Sequence, residues 1–437
     1  MSKQQQVVIV GAGVSGIAAA RFEVDKGNKV VLIDSSDRPG GLLKSDNVEG
    51  HYFDYGTHII PETGLADLDE ILFGHLTPRN YAISKRISAG NFFNGVLNER
   101  SCYVDTTTLP NDLYNQGCYD VLSASPSVAE SVQGWFDSRY GKTFSREIFC
   151  PVVEKYMGVK AAELDVSVGY FFDMSRLLAF NQSTTEKLGE IDQYYAVLGH
   201  HVRKEGVTKY YPKKGGVGTL VDDMLDQIET KNFSISLNTK IQQIEQHEGT
   251  VSKVVTDKGS FSVDRLIWTI PVTLLAMYVP LGINVEKPTF RKASLFDFVF
   301  DKPLLSDVTF INVYDLKMHS GRITLYQNLR EDGNNQGSCT VEVLSDKQIT
   351  EDDILKELLV MGLVADGSQC SYKGKRDVSN GFPVLSVDYV NQSKLQRSHY
   401  HDYFKNIHFL GKASEKAFFM TDVLKETYNK LVVDAAE

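Results

Sequence analysis

Runs of apolar residues at the two ends of the chain differ from those in its middle. Val7-Val-Ile-Val10 is an unbroken β-branched run, the pattern of a strand buried on both faces of a parallel sheet. Gly11-Ala-Gly13-Val14-Ser15-Gly16 follows, then a small-residue helix from Ile17 to Phe22 that Gly27 ends. Lys29-Val-Val-Leu-Ile33 is a second buried strand with Asp34 at its end, and the whole predicts one right-handed βαβ unit. From about 76 to 205 this rhythm is absent. The spacing of Trp135, Phe136, Tyr140, Phe144, Ile148 and Phe149 there is helical and marks a core. A helix is predicted from Thr219 to Ile228, strands over 235–244, 251–255 and 264–271, and a turn from Gly259 to Phe261. Residues 281–395 alternate strands with charged turns: Ser294 to Phe300, Thr309 to Val313, Arg322 to Leu329 and Cys339 to Leu344. An antiparallel sheet is expected there. A last strand near Ile407 leads to a helix reaching about Val433.

The glycines of the first unit each have a task. Gly11 allows the tight turn, Gly13 lets backbone N–H groups approach a diphosphate, and Gly16 lets the helix pack close to the sheet. Val14 and Ser15 stand at the helix start, whose partial positive charge suits an anion. Asp34 lies where an acid accepts hydrogen bonds from an adenosine ribose. These features fit a dinucleotide and do not separate NAD from FAD.

Further motifs do separate them. Asp34-Ser35-Ser-Asp-Arg38-Pro-Gly40-Gly41-Leu42 resembles the second signature of FAD enzymes of the amine oxidase, protoporphyrinogen oxidase and UDP-galactopyranose mutase superfamily. A planar guanidinium suits diphosphate oxygens, and paired glycines let the chain pass under an extended cofactor. The family usually has Glu where Asp34 stands, and a basic residue where Leu42 stands. Asp54-Tyr-Gly56-Thr57-His58 resembles the family's stretch beside the flavin ring. His58 reads either as a pocket group titrating near neutral pH or as a hydrogen-bonded structural histidine, with no catalytic role assigned. Tyr210-Tyr211-Pro212-Lys-Lys-Gly215-Gly216 is similar to the family's re-entry into the cofactor domain, and the following strands, Ile241 included, flank adenine and flavin in that family. The tail, Leu410-Gly411-Lys412 through Phe418 to Thr421-Asp422-Val423, resembles the C-terminal FAD motif, with Lys412 in place of the usual Arg.

The resemblance implies an α/β fold: a glutathione-reductase-like, Rossmann-type FAD-binding domain with an inserted α+β substrate domain. Residues 1–75, 206–280 and 396–437 would form the first, and 76–205 and 281–395 the second. It implies FAD as cofactor and an oxidoreductase moving a hydride from a small molecule to flavin N5. The alternative is a sugar-nucleotide mutase similar to UDP-galactopyranose mutase, where reduced flavin acts without net redox. No catalytic residue can be named. Arg322 and Tyr326 fall on one face of a strand by its period of two, either to bind a polar substrate or as an ordinary half-exposed face.

Charge and cysteines narrow the setting. The formal net charge of −10 argues against a nucleic-acid or anionic-membrane surface. Five scattered cysteines without a C-x-x-C pair read as reduced packing residues, with no metal site. No signal peptide and no integral membrane segment are expected, so the location expected is cytoplasmic; a homo-oligomer is compatible with the sequence.

Overall fold

A computed structural model of the chain describes residues 4–201, 205–282, 289–330, 337–414 and 419–434. The expected unit is present: strand β1 (Gln6–Val10), helix α1 (Val14–Asp25) and strand β2 (Lys29–Ile33). β1 is the centre of a five-stranded sheet. Its order is Phe233–Ser236, β2, β1, Arg265–Trp268, Ile407–Phe409, and every pairing is parallel. The sheet thus draws strands from the start, the middle and the tail of the chain. Val7, Val8 and Ile9 are fully buried, as a strand covered on both faces requires. Strands depart to opposite sides of β1, which opens a crevice beyond its carboxyl end.

A seven-stranded sheet lies in the other part of the molecule. Its order is Cys370–Pro383, Phe290–Phe300, Gly337–Leu344, Arg322–Leu325, Phe310–Val313, Ala89–Phe93, Val96–Asn98. The pairings are antiparallel except that of Phe310–Val313 with Ala89–Phe93. One face carries Phe296, Phe298, Ile311, Ile323 and Val341, packed with Ile354 and Leu358 of the helix Glu351–Val360. The other face carries Asn312, Arg322, Thr324, Thr340, Glu342 and Asp297. The pairing registers Asn312–Arg322, Arg322–Glu342 and Asp297–Thr340 put them there. The helical stretch after residue 110 buries Phe136, Tyr140, Phe144 and Phe149 in a third core.

Several boundaries depart from expectation. Gly259–Ser262 is a strand rather than a turn, because it pairs with Lys253–Thr256. The run 235–244 divides into Phe233–Ser236 and Ile241–His247, which belong to different sheets. The strand from Arg322 stops at Leu325, and Tyr326–Asn328 is a short 3-10 turn. Tyr326 stands beyond the strand's end, and its hydroxyl lies 2.9 Å from that of Thr340 on the polar face. The five cysteines are free. Among the described residues no helix is long and apolar enough to cross a membrane.

Candidate cofactor cleft and active site

The glycine loop contains one closed and one open position. A Cβ on Gly16 would land on the Gly11 carbonyl oxygen, so the helix packs there without room for a side chain. A Cβ on Gly13 would meet nothing within 4 Å. Gly13 is also the N-cap of α1, with no side chain capping it, so the first N–H groups of the helix are not met by a cap. Gly11 has φ 105°, the left-handed region that favours glycine.

The chain of the second motif lies against this loop. The Gly40 N–H donates to the Ala12 carbonyl at 2.7 Å, and Gly40 bridges Gly13. Gly41 passes the same loop: a Cβ there would sit 3.4 Å from the Gly13 Cα. Asp34 accepts from the Ala12 and Ser36 N–H groups, each at 2.7 Å. Ser35 and Leu42 are exposed. The Thr239 N–H donates to the Asp34 carbonyl at 2.9 Å, which brings the half-buried Ile241 to the same end of the sheet. Arg38 turns its guanidinium to Asp46 at 2.7 Å and to the Ser45 carbonyl at 3.0 Å.

The tail reaches the same place. The Ser15 and Thr427 hydroxyls are 3.0 Å apart, 412 residues distant in sequence. A Cβ on Gly411 would lie 3.1 Å from that of Ser15. The Lys412 N–H donates to the Thr269 carbonyl at 3.0 Å. The Lys412 residue is exposed at its surface, and desolvation by the surrounding protein pulls its ammonium pKa below the usual range. The helix Met420–Tyr428 begins with no capping side chain. In its first turn Thr421 and Val423 are half-buried and Asp422 is exposed. Phe418 of the tail motif lies outside the described residues. An open glycine, two helix starts without side-chain caps and a partly desolvated lysine fit an elongated, doubly anionic nucleotide such as FAD.

The Gly56–His58 loop meets the polar face of the seven-stranded sheet. Gly56 has φ 117°. The Thr57 N–H donates to Glu342 Oε1 at 2.8 Å, and its hydroxyl lies 2.5 Å from that of Thr324. His58 Nε2 is 3.3 Å from the Tyr55 carbonyl. Burial lowers the imidazole pKa below its ordinary value, against the pull of Asp54 and Glu342. Tyr326 sits behind this loop. It is 1% exposed, and its hydroxyl accepts from the Asp54 N–H at 2.8 Å. The Asp54 carboxylate, fully buried, takes bonds from the Tyr211 hydroxyl, the Ser45 hydroxyl and the Val217 N–H. The Tyr210–Gly216 stretch and its following turn are thus bound to the Asp54–His58 stretch through one carboxylate.

Arg322 stays on the open face, with Nε donating to Asn312 Oδ1 at 3.0 Å. Sequence reasoning passed over Glu342. Its signal was present in Cys339-Thr-Val-Glu342, where an acid continues the polar alternation of a strand. A shallow depression of about 330 Å³ lined by Gln133, Arg146, Cys150, Pro151 and Glu154 shares no residue with the cleft.

Comparison with known proteins matches two segments of the chain. Residues 9–70 match the NAD(P)-binding Rossmann-like domain, and residues 106–299 match the flavin containing amine oxidoreductase family. Polyamine oxidase 4 from Oryza sativa subsp. japonica is 23% identical over 305 residues, 67% of this chain and 56% of that protein. The chain spans about half the length of the curated relatives it matches. Reduced UDP-galactopyranose mutase superposes with a TM-score of 0.74 at 15% identity, over 98% of this chain and 96% of that one. A protein described as a protoporphyrinogen oxidase from Exiguobacterium sp. 255-15 superposes with a TM-score of 0.71 at 16% identity, over the full length of both. The matched segments are similar to a Rossmann-like domain at the start of the chain and to flavin containing amine oxidoreductases over residues 106–299. The fold is the one these two solved structures share.

Proposed function

We propose that the protein is an FAD-dependent oxidoreductase that oxidises a small molecule, with residues 76–205 and 281–395 serving as its substrate-binding part. One observation carries this reading above the others: the glycine loop and the tail converge at Ser15, Thr427 and Gly411 around an open Gly13. When bound, FAD supplies the acceptor for a hydride from a C–H bond. The chain's part is to hold and orient. Gly13 and the start of α1 face the diphosphate, Asp34 the ribose, and Gly56 gives close backbone approach to the ring. Lys412 and the tail helix bring positive potential to the same cleft. His58, held neutral near pH 7 by burial, closes the loop side of the site.

The test is direct. Purified protein should be yellow and release FAD on denaturation, and a substrate should bleach the flavin without added reductant under anaerobic conditions. A colourless protein with no affinity for FAD would overturn the reading. Turnover of a sugar nucleotide only after prior reduction, with no net electron transfer, would replace it by the mutase.

A further inference from the structure

The polar face of the seven-stranded sheet holds an ion pair that is not made. Arg322 and Glu342 are register partners on adjacent antiparallel strands. Side chains so placed have Cβ atoms about 5 Å apart, and opposite charges there normally join. Yet among the described residues no hydrogen bond or ion pair within 4 Å links them. Each is held by something else.

Arg322 gives its Nε to Asn312, which is fully buried. Asn312 in turn donates to Asp173 Oδ2 at 2.8 Å and to the Cys102 carbonyl at 3.2 Å. The guanidinium carbon lies 4.8 Å from the Phe172 ring centre and 5.5 Å from that of Phe310. Phe172 and Asp173 both have positive φ, 52° and 56°. That conformation costs on the order of 1–3 kcal/mol for each non-glycine residue and persists where surrounding structure imposes it. Here it sets one residue's ring on Arg322 and the next residue's carboxylate on Asn312. Glu342 Oε1 accepts from the Thr57 N–H at 2.8 Å and from its hydroxyl at 3.0 Å. The terminal nitrogens of Arg322 and Oε2 of Glu342 have no hydrogen-bond partner among the described residues, and none is among the buried unpaired atoms. They are open to water. A guanidinium edge and a carboxylate oxygen on neighbouring strands are therefore each held from behind, the first on the flank of Asn312 and the second on that of Thr57. Gly56 and His58 border them: a Cβ on Gly56 would lie 3.6 Å from both Glu342 and His58.

We propose that Arg322 and Glu342 are a two-point recognition site for a substrate bearing an oxyanion and an ammonium or hydroxyl donor. The inference rests on the cleft being the active site, as proposed above. Arg322 takes the oxyanion on its free edge, and the aromatic faces beside it exclude water from that contact. Glu342 Oε2 accepts from the donor. A substrate with both groups completes the ion pair that the sheet leaves open. One with either group alone leaves the other charge facing an apolar portion of ligand, which costs binding. Glu342 thereby decides between molecules that share an acid group.

Isothermal calorimetry on the holoenzyme tests this without relying on turnover, and flavin content measured separately reports on the cofactor reading. The probes are serine and glycolate, which carry both groups, propionate and propylamine, which carry one each, and inorganic phosphate. Serine or glycolate should bind at least tenfold tighter than propionate and propylamine. Arg322→Gln should abolish the advantage over propylamine, and Glu342→Gln the advantage over propionate. Phosphate binding as tightly as glycolate, and unaffected by Glu342→Gln, would reduce the site to an oxyanion pocket and overturn the two-point proposal. So would equal binding of all probes, or selectivity that survives both substitutions. A colourless protein that still shows the selectivity would sink the flavin reading and leave this one standing.

Discussion

Arg376 and Arg322 lie in one row across the same sheet face, through the register partners Leu295 and Glu342, and the chain treats them in opposite ways. Arg376 is saturated. It binds Asp297 through two nitrogens at 2.6 and 3.0 Å, Asp46 at 3.1 Å and the Asp54 carbonyl at 2.9 Å, and its guanidinium lies 4.8 Å from the Tyr55 ring centre. Burial works against its charge, but the bond to Asp297 prevails and its pKa lies above the ordinary value. Arg322 keeps one hydrogen bond and leaves its terminal edge open. The first arrangement ties Asp46 and the start of the Asp54–His58 stretch to the seven-stranded sheet. The second leaves charge unspent beside the Gly56–His58 loop. A complete ion pair serves the fold, whereas an incomplete one held from behind serves a ligand.

The largest expected effect follows from breaking the complete pair. Asp297 is 1% exposed, so Arg376→Met leaves a buried carboxylate without its cation. Such a loss costs about 3 kcal/mol or more, read as a lower urea midpoint. Arg322→Met removes no ion pair among the described residues and should cost about 1 kcal/mol, the scale of losing the bond to the buried Asn312. Equal losses in the two variants would mean that Arg322 is as structural as Arg376.

The same contrast separates two glycines of the cofactor loop. Gly16→Ala drives a Cβ onto the Gly11 carbonyl oxygen and should destabilise the fold by about 2 kcal/mol, the scale of overpacking a tight contact. Gly13→Ala points a Cβ into open space and should leave stability within about 1 kcal/mol while weakening FAD by tenfold or more, since 1.4 kcal/mol is tenfold. Thermal melts of the apoprotein beside FAD titrations separate the two. A Gly13→Ala variant that binds FAD normally would place the diphosphate elsewhere. Asp34→Ala comes next, with FAD binding weaker by about tenfold to a hundredfold, the worth of a hydrogen bond to a charged group. Because Asp34 also holds the Ala12 and Ser36 N–H groups, a modest drop in stability should accompany it.

The sequence made the cofactor unit legible because its signals are local. A buried strand, three glycines at fixed spacing and an acid at the next strand end lie within 28 residues, from Val7 to Asp34. The sheet at 281–395 was legible as strands, since alternation is local too. The strand end at Leu325 was missed because nothing in Arg322-Ile-Thr-Leu-Tyr marks it. That end is set by the Tyr326 hydroxyl reaching Asp54, 272 residues earlier. Glu342 was invisible as a site residue for the same reason, since its role depends on Thr57, 285 residues away. The turn expected at Gly259 failed because glycine suits a turn locally, while pairing with Lys253–Thr256 decides the outcome.

The smallest expected effect lies where the two regions meet, at His58. Asp54 of the closed network and Glu342 of the open pair both favour its protonation, Arg322 opposes it, and burial outweighs the balance. The folded imidazole therefore titrates below the unfolded value of about 6.5. Between those two values the unfolded chain binds more protons, so His58 subtracts stability as pH falls through that window and subtracts nothing above it. His58→Gln should lose less thermal stability than the parent between pH 7.5 and 5.5, by about a degree or two. Charge substitutions give the sharper reading by NMR titration of the imidazole. Glu342→Gln should lower the His58 pKa further, and Arg322→Gln should raise it. Shifts of the reverse sign would mean that the open pair does not face the imidazole, and with that the contrast between the two arginines would lose its place beside the cleft.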